Sequence, residues 1–242
     1  MKLRIMWWPF ISKKYSLAES GLLKGWTDWH SHILPSVDDG VKHMDDSLKI
    51  LDFYEKEGVE EVWFTPHIMA DTPNETEFLE ARFEKFQALY KGHVKIHLSA
   101  EHMIDSLFEQ RLDEDDLLPY DDRCLLVETS YFNPPINLWE MLKKIGTKKY
   151  YPILAHPERY EYMEEEDYER LIRMDVEFQL NLPSIVGMYG HKAQSKAIWL
   201  LKKNYYQRCG SDVHRFDKLV DYFSKKVIPM DIFKAIEEII DF

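Results

Sequence analysis

Apolar runs of strand length recur along the chain, at 26–29, 59–65, 94–100, 124–127, 151–155, 176–180 and 207–210. Between most of them apolar residues return every three to four positions, as in Leu48, Leu51 and Tyr54 and again in Leu79, Phe83, Phe86 and Tyr90. That is the period of a helix with one buried face. Strand and helix in alternation predict a parallel sheet. About seven strands without the strand-order signal of a dinucleotide fold favour an α/β barrel, with an open doubly wound sheet as the alternative. Asp45 or Asp46 is placed to cap the first helix, Gly58 to close it, and Thr76 to cap the second.

Short polar clusters close five of the apolar runs: Asp28-Trp29-His30-Ser31-His32, Thr65-Pro66-His67, Val127-Glu128-Thr129, Ala155-His156-Pro157 and Ser211-Asp212-Val213-His214. Residues i and i+2 of a strand share a face, so His30 with His32, and Asp212 with His214, can point the same way. Asp39 follows in a loop, and Glu101 and Glu128 end the third and fourth strands. Burying a carboxylate there costs several kcal/mol, on the order of its desolvation, unless a cation or hydrogen-bond partner answers it. Imidazole and carboxylate are ligands of divalent metals, and barrel enzymes collect their chemistry at the ends of strands. Any one cluster is a weak signal; together they predict a metal site.

A chain of 242 residues, 45% hydrophobic, can bury one sizeable core, so one domain is expected over 26–242 with an N-terminal arm over 1–25. The formal charge of -12 repels a phosphate backbone and argues against nucleic acid as a partner. Acidic tracts at 109–116 and 158–169 read as solvated loops and helix faces. Cys124 and Cys209 lie in separate apolar runs and read as two buried thiols in a reducing, cytoplasmic compartment. The apolar stretch from Ile5 to Ile11 is too short to span a membrane. The arm around it reads as packed or frayed, and its lysines and tryptophans could alternatively touch an anionic surface of the inner membrane. His43, His93, His97, His102 and His191 lack partner clusters and read as structural or solvated, while Tyr160 and Phe132 are candidates to border a substrate ring.

These residues also resemble a known family, the polymerase and histidinol phosphatase (PHP) superfamily. Within it they are most similar to the manganese-dependent tyrosine phosphatases of bacterial capsule and exopolysaccharide operons. The resemblance runs from Trp26 to His214 through Asp28-Trp29-His30-Ser31-His32-Ile33-Leu34-Pro35, Val37-Asp38-Asp39-Gly40, Thr65-Pro66-His67, Ala155-His156-Pro157-Glu158-Arg159-Tyr160 and Ser211-Asp212-Val213-His214. It implies a distorted (β/α)7 barrel, the PHP fold, with three divalent ions, Mn before Fe or Zn. One ion would be held by His30, His32, Glu101 and Asp212; Glu101 would bridge to a second, completed by Glu128 and His156; Asp39, His67 and His214 would hold the third. Arg159 would pair with phosphate, and Asp212 or His214 would assist the leaving oxygen. The chain departs from the pattern at Ile68, where many relatives carry a polar or basic residue, in the length preceding Asp28, and in the tail after His214.

The activity so implied is metal-dependent phosphomonoester hydrolysis by a protein-tyrosine-phosphatase. Its implied partner is the phosphorylated tail of a bacterial tyrosine autokinase that controls polysaccharide synthesis and export. The alternatives are a small-molecule phosphatase of the histidinol-phosphate type and a non-catalytic module stabilised by its metals. A proofreading nuclease ranks lower on charge.

Overall fold

The computed structural model describes residues 13–121 and 123–240. Its strands and helices follow in the order β1 Lys14–Tyr15, β2 Thr27–Ser31, α1 Met44–Glu57, β3 Glu61–Phe64, β4 His67–Ile68, α2 Thr76–Leu89, β5 Lys95–Leu98, β6 Glu101–Met103, α3 Phe108–Glu114 and β7 Cys124–Glu128. The second half continues with α4 Leu138–Thr147, β8 Tyr151–Ala155, α5 Glu165–Arg173, β9 Glu177–Asn181, α6 Leu182–Ile185, α7 Gly190–Lys202, β10 Arg208–Gly210, α8 Phe216–Ser224, β11 Ile228–Pro229 and α9 Met230–Ile240.

Each of the seven expected runs forms strand, but two of them break and resume. The second run forms β3, and strand resumes just beyond it as β4; the third forms β5, and strand resumes just beyond it as β6. Pro66 lies at the first break and has no N–H to give to a ladder. Both segments keep their neighbour: β3 pairs with β5 and β4 with β6, all parallel. The strands thus form one sheet ordered β2-β3-β5 and a second, curled into a half-barrel, ordered β10-β9-β8-β7-β6-β4. At the outer edge, the Asp212 N–H donates to the His30 carbonyl (2.8 Å) and the His32 N–H to the Val213 carbonyl (3.0 Å). The segment after β10 therefore runs beside the end of β2.

The central strands are buried on both faces, as parallel sheets are. Leu125, Leu126, Val127, Ile153, Leu154 and Ala155 are all inaccessible. In α1, Ser47, Ile50, Leu51 and Tyr54 form the buried stripe, and Gly58 ends the helix at a left-handed φ of 81°. The N-caps differ from expectation. His43 precedes α1, with Asp45 and Asp46 inside its first turn, while Glu75 precedes α2 and the Thr76 hydroxyl donates to Asp116 Oδ1 (2.6 Å). Carboxylates in a first turn still face the positive end of the helix dipole.

Residues 1–12, most of the expected arm, lie outside the described residues. From Lys14 onward the chain packs on the domain: β1 pairs antiparallel with β11, and Leu17, Leu22 and Leu23 are buried in the main core. Among the described residues no helix is long and apolar enough to cross a membrane. Cys209 is buried and Cys124 half-buried, and neither is in a disulfide.

Candidate metal centre

The end of β2 carries the first two histidines, and glycines allow the neighbouring chain to approach them. A Cβ on Gly210 would lie 2.4 Å from the His30 Cβ, and one on Gly40 would lie 2.4 Å from the His32 Cβ. The β4–β6 register sets His67 opposite Glu101, so two chemical residues 34 positions apart become neighbours. His156 and Asp212 leave their strands with left-handed φ values of 35° and 51°. Such conformations cost about 1–3 kcal/mol each in non-glycine residues and persist only where surrounding bonds hold them. Here the His156 N–H donates to the Gln179 carbonyl and the Asp212 N–H to the His30 carbonyl.

All nine residues expected to bind metal meet in one cluster, where β2, β7, β8 and β10 end and β4 and β6 begin, with Asp39 reaching in from a loop. His30, His32 and Glu101 form one nest of mutually close donor atoms; His67, Glu101 and Glu128 form a second; His32, Asp39, His67 and His214 form a third. Asp212 Oδ1 lies 3.6 Å from His30 Nε2 and 3.3 Å from His32 Nε2. His156 Nε2 lies 2.9 Å from Glu101 Oε1 and 3.8 Å from Glu128 Oε2. His67 thus stands in the second nest as well as the third, a sharing the sequence pattern did not suggest. His30, His32, Glu101, Glu128 and His156 are buried, whereas the Asp39 side chain is 74% exposed and reaches inward to His67 and His214.

The donor set fits a cation. Gln179 Nε2 donates to the Trp29 carbonyl (3.1 Å), so its Oε1 faces His30 Nδ1 (2.7 Å) and can only accept. His32 Nδ1 donates likewise to Asp38 Oδ2 (2.7 Å). Both neutral rings therefore present Nε2 lone pairs, and these face each other at 3.1 Å. Two lone pairs at that distance repel unless a proton or metal ion lies between them. In the second nest, His67 Nδ1 is 3.1 Å from both Glu101 Oε2 and Glu128 Oε1, yet all three buried atoms lack a hydrogen bond of proper geometry. Leaving such groups unanswered costs about 1–3 kcal/mol each, and more when charged. A shared divalent ion answers them together.

Without an ion, protons carry part of this charge. Burial disfavours the imidazolium of His30, but the fields of Glu101 and Asp212 outweigh it and raise its pKa. Burial and neighbouring His32 likewise oppose protonation of His67, and Glu101 and Glu128 still push it up to about 10. Burial alone would raise the carboxyls, but His30 with His67 holds Glu101 well below the usual range, and His30 with His214 does the same for Asp212. Glu101 and Asp212 are thus ionised carboxylates whose neighbouring imidazoles carry exchangeable protons.

Arg159 stands at the mouth. Its Nη1 donates to Asp212 Oδ2 (2.9 Å), and its guanidinium carbon sits 4.2 Å from the Tyr131 ring centroid and 4.0 Å from that of Tyr189. A pocket of ≈ 340 Å³ opens here, lined by Asp39, His67, Glu101, His156, Asp212 and His214 of the cluster and also by Met188, Arg215 and Lys218. A larger groove of ≈ 990 Å³ lies between α4 and α5 at the N-terminal end of β8, but its lining includes no histidine and only two carboxylates, Glu140 and Asp175. The histidines and carboxylates of the cluster open into the smaller pocket.

Several expectations change. Tyr160 does not border the pocket: it is fully buried, donating to the Ala155 carbonyl and accepting from the Thr129 N–H. Phe132 is 68% exposed and is not part of the lining; Tyr131 and Tyr189 supply the aromatic walls. Glu158, expected in a solvated tract, is buried and accepts from the Asn181 N–H (3.1 Å) and the Tyr206 hydroxyl (2.9 Å). His43, His93, His97, His102 and His191 stay outside the cluster; His102 is buried, which lowers its pKa to about 4. Sequence reasoning missed Asp38, Gln179 and Asn181. The signal for the last two was the same i, i+2 spacing at a strand end that revealed His30 and His32, but amides carry no metal chemistry and drew no notice.

A parallel α/β sheet with buried histidines and carboxylates converging at its strand ends defines a class, the α/β proteins with a candidate multinuclear metal centre. More narrowly, residues 26–225 match the family described as capsular polysaccharide synthesis, CpsB/CapC, and the chain belongs to that family. It is 26% identical over 196 residues to the tyrosine-protein phosphatase YwqE of Bacillus subtilis, covering 77% of this chain and 76% of that protein. It is 28% identical over 209 residues to the tyrosine-protein phosphatase CpsB of Streptococcus agalactiae, covering 78% and 83%. Among solved structures, one described as YwqE from Bacillus subtilis and CpsB from Streptococcus pneumoniae, unique metal-dependent tyrosine phosphatases, superposes with a TM-score of 0.75 at 22% identity. That likeness covers 88% of this chain and 86% of the other, and at this identity it shows the shared fold.

Proposed function

We propose that this protein is a metal-dependent protein-tyrosine-phosphatase that hydrolyses phosphomonoesters without a covalent enzyme intermediate. The observation that carries the reading is the buried convergence of His67 Nδ1, Glu101 Oε2 and Glu128 Oε1 beside the opposed His30 and His32 nitrogens. The relatives named as tyrosine phosphatases support it. Three divalent ions are the count favoured, held by His30, His32, Glu101 and Asp212, by Glu101, Glu128 and His156, and by Asp39, His67 and His214. Manganese is the ion favoured, with iron or zinc also suited to mixed imidazole and carboxylate donors. Bound ions would supply Lewis acidity at the phosphoryl oxygens and acidify water toward neutrality.

The protein's own groups do the rest. Arg159 presents in-plane N–H donors that match phosphoryl oxygens bidentately. Asp212 or His214, both at the pocket wall, would assist the leaving oxygen, His214 by giving a proton and the ionised Asp212 by orienting it. A phenol, with a pKa of about 10, needs less protonation on leaving than an alkyl alcohol does, which suits an aryl phosphate. Asp38 and Gln179 keep the Nε2 faces of His32 and His30 turned inward.

The fold in this reading is the distorted (β/α)7 barrel of the PHP superfamily, β3 with β4 and β5 with β6 each counting as one broken strand. The hydrogen bonds joining Asp212 and Val213 to His30 and His32 support closure. The substrate is the phosphotyrosine tail of a bacterial tyrosine autokinase controlling polysaccharide synthesis and export, and the place of action is the cytoplasm; the family's capsule description supports the first. The test is hydrolysis of a phosphotyrosine peptide by metal-stripped protein before and after Mn is added, with His156→Ala as control and histidinol phosphate in parallel. Metal-restored activity on the peptide, lost in the variant, is expected. Activity on histidinol phosphate alone would move the assignment to a small-molecule phosphatase, and silence on both would end the enzymatic reading.

A further inference from the structure

Arg159 is held in an unusual setting for the one cation at the wall of this pocket that is largely buried. Its side chain is 17% exposed, and its guanidinium carbon lies over two tyrosine rings, Tyr131 at 4.2 Å and Tyr189 at 4.0 Å from the centroids. One edge is spent on Asp212, whose Oδ2 also accepts from Asn181 Nδ2 (2.7 Å) and the Tyr189 hydroxyl (3.3 Å). Among the described residues no other acceptor meets the Arg159 side chain, which lines the pocket wall. A free arginine has many rotamers and would lose them on meeting an anion. Two ring faces remove that freedom in advance and add cation–π attraction.

We propose that Tyr131 and Tyr189 are positioning residues, a two-sided aromatic clamp that holds the Arg159 guanidinium edge-on to the pocket and so sets affinity for the phosphoryl group. The proposal rests on the phosphatase reading for its substrate, but its ligand is any tetrahedral oxyanion. Tyr131 acts through its ring alone, since its hydroxyl makes no hydrogen bond to a described residue. Tyr189 adds a hydroxyl that steadies Asp212.

The test uses the full chain loaded with Mn and measures binding of inorganic phosphate by calorimetry, with kcat and KM on a phosphotyrosine peptide alongside. Tyr131→Leu and Tyr189→Leu are each expected to weaken phosphate about 5- to 30-fold, the range of a desolvated cation–π contact. The loss in the peptide assay is expected in KM more than in kcat. Tyr131→Phe restores affinity to within about twofold of wild type, since the ring face is kept. In an Arg159→Gln background, Tyr131→Leu has no further effect, because residues acting through one group are not additive. Metal content and the thermal midpoint identify a variant that has misfolded, and Tyr131→Met then takes its place with the same expectation. Wild-type phosphate affinity in the leucine variants overturns the clamp, as does an undiminished loss in the Arg159→Gln background. Arg159-dependent phosphate binding with no hydrolysis of any ester would end the phosphatase reading and leave the clamp standing; hydrolysis intact in every tyrosine variant would do the reverse.

Discussion

Gln179→Leu isolates the part that a buried amide plays in a metal site. Gln179 is 1% exposed and accepts from His30 Nδ1 at 2.7 Å, while its Nε2 donates to the Trp29 carbonyl at 3.1 Å and approaches the Tyr120 hydroxyl at 3.3 Å. Leucine is close in volume and cannot accept, so the His30 N–H is left buried and unanswered. That costs about 1–3 kcal/mol. For a chain of this size, the metal-free midpoint should fall by about 2–4 °C per kcal/mol. The imidazole is also free to turn or change tautomer, and outer partners of ligating histidines carry about 10- to 100-fold in metal affinity. A hundredfold loss shrinks metal-induced stabilisation by about 2.7 kcal/mol. Thermal unfolding with and without Mn, joined to competition against a chelator, separates the two effects. Gln179→Glu keeps the acceptor and should hold metal affinity near wild type. A leucine variant that loses stability but binds Mn as tightly as wild type would refute the reasoning, because His30 would then be oriented by something other than Gln179.

Three further outcomes are expected. Gly210→Ala sets a Cβ 2.4 Å from that of His30, so the backbone must shift; a loss of about 1–3 kcal/mol with weakened Mn binding is expected in denaturant titrations. Leu23→Ala removes a side chain that is 1% exposed and should cost about 2–5 kcal/mol, measured by the same titration, as a core residue would and a frayed arm would not. His67 gives a pH dependence. Its folded pKa near 10 exceeds the unfolded value, so its contribution to the metal-free protein is complete below about 6.5 and lost as pH rises through 10. Metal must displace that proton, so Mn binding should tighten over the same window and release protons. Calorimetry in buffers of different ionisation enthalpy detects that release, and a proton count of zero at pH 8 would contradict it.

Much of the fold was legible because it is written in short-range periods. Apolar runs marked β2, β3, β5, β7, β8, β9 and β10, and three-to-four spacing marked α1 and α2, since each strand or helix must bury its own face whatever its neighbours. The charged ligands were legible for a related reason. A histidine or carboxylate at the end of a buried run is expensive unless it has a task, and eight such positions stood out, with Asp39 added from a loop.

Neighbours far apart in the chain were not legible. Local pattern determined that His30, His67, Glu101 and Asp212 lie where apolar runs close; only the tertiary structure decided that the β4–β6 register sets His67 against Glu101 and that the segment after β10 bonds to the end of β2. It also decided that Gln179, 149 residues from His30, becomes the acceptor that turns its ring, and that Tyr131 and Tyr189 close on Arg159 from two separate loops. Neutral amides and tyrosines announce nothing by their own burial cost, because many partners satisfy them. Their role comes from which segment packs beside them, and that depends on sheet register and loop course, which no period of two or 3.6 residues encodes.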